Sequence, residues 1–257
     1  MAIITLTTDL GEKDFYAGAV KGQILHRLPQ AHVVDITHLI KPFDIFHAAF
    51  VLGQAWQSFP AGTVHLVNVT HTESKDDRLL LIDYKGHYFI GYDNGWFSLA
   101  VHDIPEKVVA LPADQVAQGT FLLRDVMVPA ACALLQKQAM EQLGQPIRQI
   151  RELRHLEPNA SDQFIRGNIV YIDHYGNAVT NIHQKLFDEV GQGRKFSIGF
   201  RRERLEQIHA TYDAVSEGEK VAVFNAAGWL EIAINKGHAA QLLGLDNNVF
   251  LHIDFHQ

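Results

Sequence analysis

The segment YIDHYGNAVTNI, residues 171–182, begins as an apolar strand and turns polar around a Tyr-Gly step. Asp173, Asn177 and Asn181 place one carboxylate and two amides close together in the chain. A carboxylate can pair with an ammonium group, and an amide offers a donor and an acceptor side by side. These residue types suit a small polar ligand, whereas a surface turn explains the same pattern without any ligand.

A second polar cluster, TTDLGEKD, follows the first apolar run, and Asp9 and Gly11 are its most informative residues. A carboxylate at the end of a strand can accept both hydroxyls of a ribose, and glycine lets a backbone approach closely. The alternative is an Asx-turn before a helix. Similar clusters, THLIKPFD and THTESKDDR, follow the next two apolar runs. Ligand sites in open parallel sheets gather at the carboxyl ends of strands, so this placement favours a binding site.

The elements that would position these clusters alternate between strand and helix in the first half of the chain. A β-α-β-α-β order predicts right-handed crossovers and a parallel sheet with helices packed against it. The predicted strands are AIITLTT (2–8), AHVVDIT (31–37) and GTVHLVNV (62–69), and the predicted helices run from Phe15 to Pro29 and from Ile45 to Pro60.

Further along, RLLLIDYKGHYFIGYDNG predicts a hairpin that turns at Lys85-Gly86, and KVVAL predicts another strand. A helix is predicted from about Val128, with Pro129 in its first turn. After residue 164 short β-like runs separated by turns predict a small β-barrel. The fold class is therefore α/β: an N-terminal α/β domain (1–155) with a mainly parallel sheet, a linker (156–163) and a C-terminal β-barrel domain (164–257).

The charge pattern argues against nucleic acid as a partner. The formal net charge is −7 and no run of Lys or Arg occurs, whereas binding to phosphates needs clustered cations. The densest basic cluster, Arg201, Arg202 and Arg204, is interrupted by an acidic residue and is interpreted as a solvated face. The single cysteine, Cys132, excludes an intrachain disulfide framework and is predicted to be buried.

Motif searches narrow the function further. No GxGxxG or P-loop follows the first strand, and no GxSxG elbow is present. The 15 histidines form no HExxH arrangement, so no metal site is expected. No 18-residue apolar run and no basic leader region occur, which favours a cytoplasmic protein without a membrane partner.

Seven segments, taken in order along nearly the whole chain, resemble the S-adenosylmethionine hydroxide adenosyltransferases, a family related to the fluorinases and chlorinases. The segments are TTDLGEKDFYAGAVKGQI (7–24), VVDITHLIKPFDIFHAAFVL (33–52), GTVHLV (62–67), YFIGYDNG (88–95), RDVMVPAA (124–131), YIDHYGNAVTNI (171–182) and GWLEIAINKGHAA (228–240). The resemblance implies an N-terminal α/β domain, a C-terminal β-barrel and a homotrimer with active sites between neighbouring subunits. It also implies S-adenosylmethionine or adenosine as the small-molecule ligand, with no separate cofactor.

The resemblance assigns roles to several residues. Asp9 matches the family's ribose-binding aspartate. Asp173 matches the aspartate that holds the methionine ammonium, and Asn177 matches the asparagine that reads the adenine edge. Tyr175 lies between them and would stand beside the purine, where stacking is worth roughly 1–3 kcal/mol.

In the matching YFIGYDNG segment, Asp93 and Asn94 are further candidate substrate-binding residues. The tripeptide DNG (93–95) is also a typical turn sequence, so a purely structural role is the competing interpretation.

The chain departs from the family in the loop after the third strand. Hydrolytic members use an Asp, an Arg and a His to position water or hydroxide, and the Asp opens a DPGVG-type loop. Here the loop reads NVTHTESKDDR, so the Asp position falls on Thr70, or on Asn68 if the register slips. The Arg position falls on Arg78, although an ungapped count reaches Asp77. Thr70, Arg78 and His71 are the candidate catalytic residues, and Glu73, Asp76 and Asp77 are possible substitutes in the same loop, whose alternative interpretation is a charged solvent loop.

Two further positions differ from the family. Leu122 stands where the family has its His, and Ala226 stands where a serine lies near the methionine carboxylate. Displacement at the 5′ carbon of a sulfonium depends mainly on in-line positioning, which supplies on the order of 7–11 kcal/mol. General acid–base assistance supplies about 10²–10⁴-fold. The losses should therefore slow such an enzyme without silencing it.

The sequence predicts that the protein transfers the adenosyl group of S-adenosylmethionine to water and forms adenosine and methionine. A second hypothesis is a binding protein with the same fold and no turnover, motivated by Thr70 and Leu122. A third is a metal-dependent hydrolase that uses Asp9, Asp14 and loop histidines. Halogenation is a fourth, although the acidic THTESKDD loop would repel a halide.

Overall fold

The computed structural model describes residues 1–69, 78–101, 103–112, 120–154 and 156–256. The chain divides into two compact units, Met1–Arg154 and His155–Gln257. The division falls beside the segment predicted as a linker, within which Asn159–Ser161 forms a short strand. The two-domain α/β fold class is confirmed.

The N-terminal unit is built on a seven-stranded sheet in the order β2-β1-β3-β5-β4-β6-β7. The strands are β1 (Ile3–Thr8), β2 (His32–Thr37), β3 (Val64–Asn68), β4 (Leu79–Tyr84), β5 (His87–Tyr92), β6 (Lys107–Leu111) and β7 (Gln145–Pro146). The pairs β1–β2, β1–β3 and β3–β5 are parallel, as the β-α-β-α-β order predicts. The pairs that join β4 to β5, β6 to β4 and β7 to β6 are antiparallel.

Helices of the N-terminal unit cover this sheet. They are α1 (Tyr16–Arg27), α2 (Ile45–Ala55), α3 (Trp96–Val101) and α4 (Val128–Leu135). The predicted helices are confirmed as α1, α2 and α4, and Pro129 lies in the first turn of α4. Sequence reasoning missed α3, whose six residues are too few to show a helical period. It also missed a π-helical turn over Leu123–Met127 that leads into α4.

Two apolar clusters fix the sheet between its helices. One joins β1, β3 and β4 to α1 and α4, and the other packs the aromatic side chains of Trp56, Phe89 and Trp96 around α2 and α3. Burying a large apolar side chain contributes about 1.5–3 kcal/mol, so these layers hold the strand ends in place. Cys132 is buried within the first cluster, as predicted.

The hairpin between β4 and β5 turns at Lys85 and Gly86, as predicted. Their φ angles are 49° and 75°. A two-residue turn with both φ angles positive matches the right-handed twist of the flanking strands, and glycine takes such an angle without steric cost.

The C-terminal unit is an eight-stranded, nearly closed barrel-like sheet, which confirms the predicted β-barrel. Its order is β12-β11-β15-β9-β10-β14-β13, and β8 pairs with β9. The strands are β8 (Asn159–Ser161), β9 (Phe164–Ile172), β10 (Ala178–His183), β11 (Lys195–Phe200), β12 (Glu203–Leu205), β13 (Lys220–Phe224), β14 (Trp229–Ile234) and β15 (Phe250–His256). Arg201, Arg202 and Arg204 are exposed, as predicted, although β12 was not anticipated among them.

Two helices accompany this barrel, α5 (Gln184–Gly191) and α6 (Ala239–Leu243). The segment HAAQLLG predicts α6, whereas sequence reasoning missed α5. The N-cap of α5 is His183, whose ring accepts a hydrogen bond from the Lys185 N–H at 3.2 Å. Histidine is not among the common N-cap residues, so the start of this helix carries no recognisable signal.

Within the described ranges, no helix has both the length and the apolar character needed to cross a membrane. The same residues contain no group of three or more His, Cys, Asp or Glu side chains arranged to hold a metal ion.

Candidate ligand-binding site

Asp9 follows the last residue of β1, at the edge of the sheet where the parallel strands end. One of its carboxylate oxygens, Oδ2, accepts a hydrogen bond from the Phe43 N–H at 3.0 Å. Burial raises the pKa of Asp9, against the lowering effect of that hydrogen bond. The surroundings therefore disfavour the ionised Asp9 carboxylate unless a partner donates hydrogen bonds to it.

The Asx-turn alternative for Asp9 does not hold. Such a turn would direct the Gly11 N–H at the Asp9 side chain, but that N–H donates to the His38 backbone oxygen at 2.8 Å. Gly11 has a φ of +70°, which an L side chain rarely adopts. The loop after β1 is thus tied to the loop after β2.

Asp93 follows β5 and is only 8% exposed. Its Oδ2 accepts from the Arg78 guanidinium at 2.5 Å, and its Oδ1 accepts from the Arg151 N–H at 2.6 Å. Arg78 also donates to the Gln149 carbonyl at 3.3 Å. The carboxylate therefore joins the start of β4 to the segment before Arg154.

Asn94 is buried beside Asp93, and both the nitrogen and the oxygen of its side-chain amide form hydrogen bonds with the backbone. The Nδ2 group donates to the Val69 carbonyl at 3.0 Å, and Oδ1 accepts from the Trp96 N–H at 3.3 Å. Gly95 has a φ of +96°, as a turn requires. The DNG tripeptide forms a turn that also anchors the end of β3.

The structure describes one of the three predicted catalytic residues. Thr70 and His71 lie outside the described residues. Arg78 is described, and its side chain is 48% exposed. Asn68, the alternative position for the family's Asp, ends β3 and pairs in register with Thr8 of β1. Leu122, at the family's His position, packs against the core of the N-terminal unit.

In the C-terminal unit, Asp173 and Asn177 close the tight loop between β9 and β10. The Asn177 N–H donates to Asp173 Oδ1 at 2.8 Å, and the Asn177 amide Nδ2 donates to Oδ2 at 2.9 Å. The Asp173 N–H donates back to the Asn177 carbonyl at 3.0 Å. Gly176 takes a φ of +84° in the turn, and a Cβ there would lie 2.2 Å from the His238 ring.

Asn181, the third polar residue of the motif, also makes hydrogen bonds within the fold. Its Oδ1 accepts from the Asn168 N–H at 2.7 Å, and its Nδ2 donates to the Leu156 carbonyl at 2.6 Å. These two hydrogen bonds connect β10 to β9 and to the start of the C-terminal unit. The polar segment 171–182 therefore contains candidate ligand residues and also a residue that stabilises the fold.

A cavity of about 610 Å³ opens beside this loop. It is lined by Asp173, Tyr175, Asn177, Tyr212, Ile234, Lys236, Gly237 and His238. Three of the sequence-predicted residues therefore share one cavity, and Tyr175 is 76% exposed. Sequence reasoning missed Tyr212, Lys236 and His238: Tyr212 lies outside every matching segment, and the matching segment GWLEIAINKGHAA assigned no ligand role to Lys236 or His238.

A second carboxylate, Glu231, lies buried behind the cavity wall. It accepts from the Tyr212 hydroxyl at 2.9 Å and from the Asn225 amide at 3.1 Å. Burial raises the pKa of Glu231, and the charge of Asp173 raises it further. Burial likewise raises the pKa of the Tyr212 hydroxyl, so that group stays a hydrogen-bond donor.

This arrangement can hold a cation with an aromatic part. The carboxylate of Asp173 has lone pairs for an ammonium group in addition to its bonds with Asn177. Tyr175 and Tyr212 offer ring faces, and the Asn177 amide offers a hydrogen-bonding edge. The Asp9 edge of the N-terminal unit offers a carboxylate suited to vicinal hydroxyls.

Two family domains match this chain. The SAM hydroxide adenosyltransferase N-terminal domain matches residues 4–144, and the corresponding C-terminal domain matches residues 167–249. A Thermus thermophilus protein named (R)-S-adenosyl-L-methionine hydrolase is 32% identical over 95% of this chain and 96% of its own. A Methanocaldococcus jannaschii protein of the same name is 28% identical over 95% of this chain and 92% of its own.

Among solved structures, an uncharacterized conserved protein from Thermotoga maritima superposes with a TM-score of 0.88. It is 27% identical and the match covers 98% of this chain and 99% of that one. The two domain matches together span most of the sequence and follow the division of the chain into two units. The chain therefore belongs to the SAM hydroxide adenosyltransferase family.

Proposed function

We propose that this protein hydrolyses S-adenosylmethionine to adenosine and L-methionine. The observation that carries the proposal is the cavity of the C-terminal unit, where Asp173, Tyr175 and Asn177 line one wall. A cavity lined by a carboxylate and two tyrosine rings suits a ligand that has an ammonium group and a purine. Membership of the family and relatives named as hydrolases of this substrate support the choice.

The proposed ligand roles are those that the family resemblance implies, and the chemistry of each side chain suits them. Asp173 pairs with the methionine ammonium and Asn177 reads the adenine edge, while Tyr175 stacks on the purine. Asp9 accepts hydrogen bonds from the ribose hydroxyls, and these donors offset the effect of burial on its charge. Asp93 and Asn94 are proposed to contribute from the turn after β5. No separate cofactor is proposed.

The reaction is an in-line displacement at the 5′ carbon. A water oxygen forms a bond to that carbon as the carbon–sulfur bond breaks, and the electron pair stays on sulfur. Methionine leaves as a neutral thioether, and the attacking water releases one proton to the solvent. Positioning supplies on the order of 7–11 kcal/mol of such a barrier.

Arg78, Thr70 and His71 are proposed to handle the water. Arg78 is fixed by Asp93, so its remaining N–H groups have a defined direction for an oxygen atom. A hydroxyl from Thr70 and an imidazole from His71 would replace the family's Asp and His. Their smaller acid–base assistance would reduce the rate within the range of about 10²–10⁴-fold.

A second candidate function is a protein that binds S-adenosylmethionine or adenosine without turnover. The observation that favours it is Leu122, which packs against the N-terminal core at the position of the family's His. An apolar side chain in that place transfers no proton. The two candidates share every ligand contact and differ only in the chemical step.

We further propose that the protein assembles as a homotrimer with active sites between neighbouring subunits. The family resemblance supports this, and so do several large apolar side chains exposed in the segments around Asp9. They are Phe15, Leu39, Phe43 and Phe46. A molar mass in solution equal to three chains would support the trimer, and the mass of a single chain would refute it.

The test of function is an incubation of the pure protein with S-adenosylmethionine, with and without added chloride, and chromatographic separation of the products. Hydrolysis predicts adenosine and methionine in equal amounts in both samples, and no product from Asp9→Ala. Binding of adenosine in a calorimetric titration without any product would favour the second candidate. A product that forms only with chloride would indicate halogenation instead.

A further inference from the structure

The loops after β1 and β2 are joined by a set of hydrogen bonds around Asp9. The Ile40 N–H donates to the Thr8 carbonyl at 3.2 Å, and the Gly11 N–H donates to the His38 carbonyl at 2.8 Å. The side chains join as well, since Thr8 Oγ1 lies 2.7 Å from His38 Nδ1. Asp9 is the next residue after Thr8, so this set fixes the backbone that carries its carboxylate.

The direction of each hydrogen bond can be assigned. His38 Nε2 lies 3.1 Å from Asp35 Oδ1, and the other Asp35 oxygen accepts from the Lys21 ammonium at 2.5 Å. A carboxylate paired with lysine only accepts, so His38 carries a hydrogen on Nε2, and in the neutral imidazole this makes Nδ1 an acceptor. The Thr8 hydroxyl therefore donates to Nδ1, and its oxygen accepts from the Leu10 N–H at 3.3 Å.

The order hydroxyl, imidazole, carboxylate is the one that activates nucleophiles in many enzymes. Here the hydroxyl cannot act in that way, because Thr8 is 0% exposed and His38 is 4% exposed. No substrate atom reaches the Thr8 oxygen. The buried chain instead determines where the residues on either side of Thr8 can lie.

We propose that His38 is a positioning residue for Asp9: through the Thr8 hydroxyl it holds the Asp9 carboxylate in the orientation that accepts both ribose hydroxyls. This inference rests on the proposed function, in which Asp9 binds the ribose. Two hydroxyls on one sugar demand a defined carboxylate direction, because a hydrogen bond weakens steeply as its angle departs from linearity. If the loop shifted and rotated Asp9, the carboxylate would still be present but would no longer accept both ribose hydroxyls.

The same sheet contains a matched control. Thr5 Oγ1 lies 2.8 Å from His65 Nδ1, and both residues are fully buried between β1 and β3. His65 Nε2 faces His87 Nδ1 at 3.2 Å rather than a carboxylate. Thr5→Val and Thr8→Val therefore remove the same kind of bond from the same strand, but only Thr8 precedes Asp9.

The experiment compares the affinity of these two variants for adenosine and for 2′,3′-dideoxyadenosine by calorimetry, together with their melting temperatures. Thr8→Val is expected to raise the Kd for adenosine about tenfold, the effect of misaligning one charged hydrogen bond. The Kd for the dideoxy ligand, which lacks the 2′ and 3′ hydroxyls, should change less than about twofold. Thr5→Val should lower the melting temperature and leave both Kd values at the wild-type level.

A pair of His38 variants tests the same point independently of Thr8→Val folding. Asparagine carries its amide oxygen on Cγ, where the imidazole carries Nδ1, so His38→Asn can still accept from Thr8. Glutamine places its amide one atom farther, near Nε2, so His38→Gln reaches Asp35 and loses Thr8. His38→Asn is expected to retain most of the adenosine affinity, and His38→Gln to lose about as much as Thr8→Val.

Each contrary outcome has a distinct meaning. Equal losses for adenosine and the dideoxy ligand, or unchanged affinity in Thr8→Val and His38→Gln, would overturn the positioning role while the proposed function stands. Wild-type protein that binds neither adenosine nor S-adenosylmethionine would overturn the proposed function and this inference with it.

Discussion

Asp9 and Asp93 both follow a strand of the N-terminal sheet, but their carboxylates have different surroundings. Asp93 accepts from the Arg78 guanidinium on one oxygen and from the Arg151 N–H on the other. Asp9 accepts from the Phe43 N–H on one oxygen, and burial raises its pKa. Both oxygens of the Asp93 carboxylate already join segments of the fold, whereas the Asp9 carboxylate retains more capacity for a ligand that donates hydrogen bonds.

The difference shows that a strand-end aspartate is not by itself a ligand residue. A carboxylate offers about four lone-pair positions, and the number used by the chain decides what remains for a substrate. Substitutions at the two positions should therefore separate stability from binding.

The largest effect is expected from Asp93→Ala. It removes the partner of the Arg78 guanidinium and leaves the Arg151 N–H without its acceptor. Because Arg78 is about half exposed, solvent offsets part of the loss, and the free energy of unfolding should fall by about 2 kcal/mol. Urea denaturation measures this. Asp246→Ala, which removes an exposed carboxylate 3.6 Å from Arg201, is the control and should cost less than about 0.5 kcal/mol.

Asp93→Asn then tests whether Asp93 also binds substrate, as the sequence predicts. The amide oxygen can still accept from Arg151, so the fold is expected to persist. An adenosine affinity equal to that of the wild type would restrict Asp93 to the fold. A clear loss of adenosine affinity in a stable variant would indicate that Asp93, like Asp9, contacts the ligand.

Asp9→Asn is expected to give the next largest effect, and on binding rather than on stability. Hydrogen bonds to a charged group contribute about 1.5–3 kcal/mol, so the affinity for adenosine should fall about 10- to 100-fold. The free energy of unfolding should not fall, because burial already disfavours the charge. Calorimetric titration and urea denaturation of the same variant check both statements. A destabilised variant with unchanged affinity would reverse the assignment.

A smaller effect is expected from pH. In the proposed function the carboxylate form of Asp9 accepts the ribose hydroxyls, and the pKa of Asp9 lies above the ordinary value of 3.8. As pH falls toward that raised pKa, Asp9 gains a proton and the Kd for adenosine should rise, beginning at a higher pH than an ordinary aspartate would give. The same titration of Asp9→Asn should show a flatter pH dependence. Parallel curves for the two proteins would contradict a role for the Asp9 charge.

The sequence predicted most of the fold because apolar periodicity carries the information. The parallel β1–β2 and β1–β3 pairs, the Lys85-Gly86 hairpin and the barrel strands follow from local patterns. The antiparallel pairs of β6 with β4 and of β7 with β6, and the helix α5, could not be predicted in the same way. Strand pairing depends on distant partners, and α5 begins at a histidine cap that has no common signal.

The candidate site was predicted in part. Asp173, Tyr175 and Asn177 are adjacent in sequence and share one cavity. Tyr212 also lines this cavity, and its hydroxyl donates a hydrogen bond to the buried Glu231. No local sequence motif indicates this pair. One of the two hydrogen bonds to Asp93 comes from the Arg151 backbone N–H, far along the chain, and no sequence pattern indicates such a bond.

Isotope labelling shows directly whether water is the nucleophile. The protein is incubated with S-adenosylmethionine in water enriched in a heavy isotope of oxygen. The mass of the adenosine formed is then measured by mass spectrometry. Attack by water predicts one heavy oxygen atom on the 5′ carbon of adenosine, and unlabelled methionine in equal amount. Adenosine that carries no label, or the absence of adenosine, would contradict it.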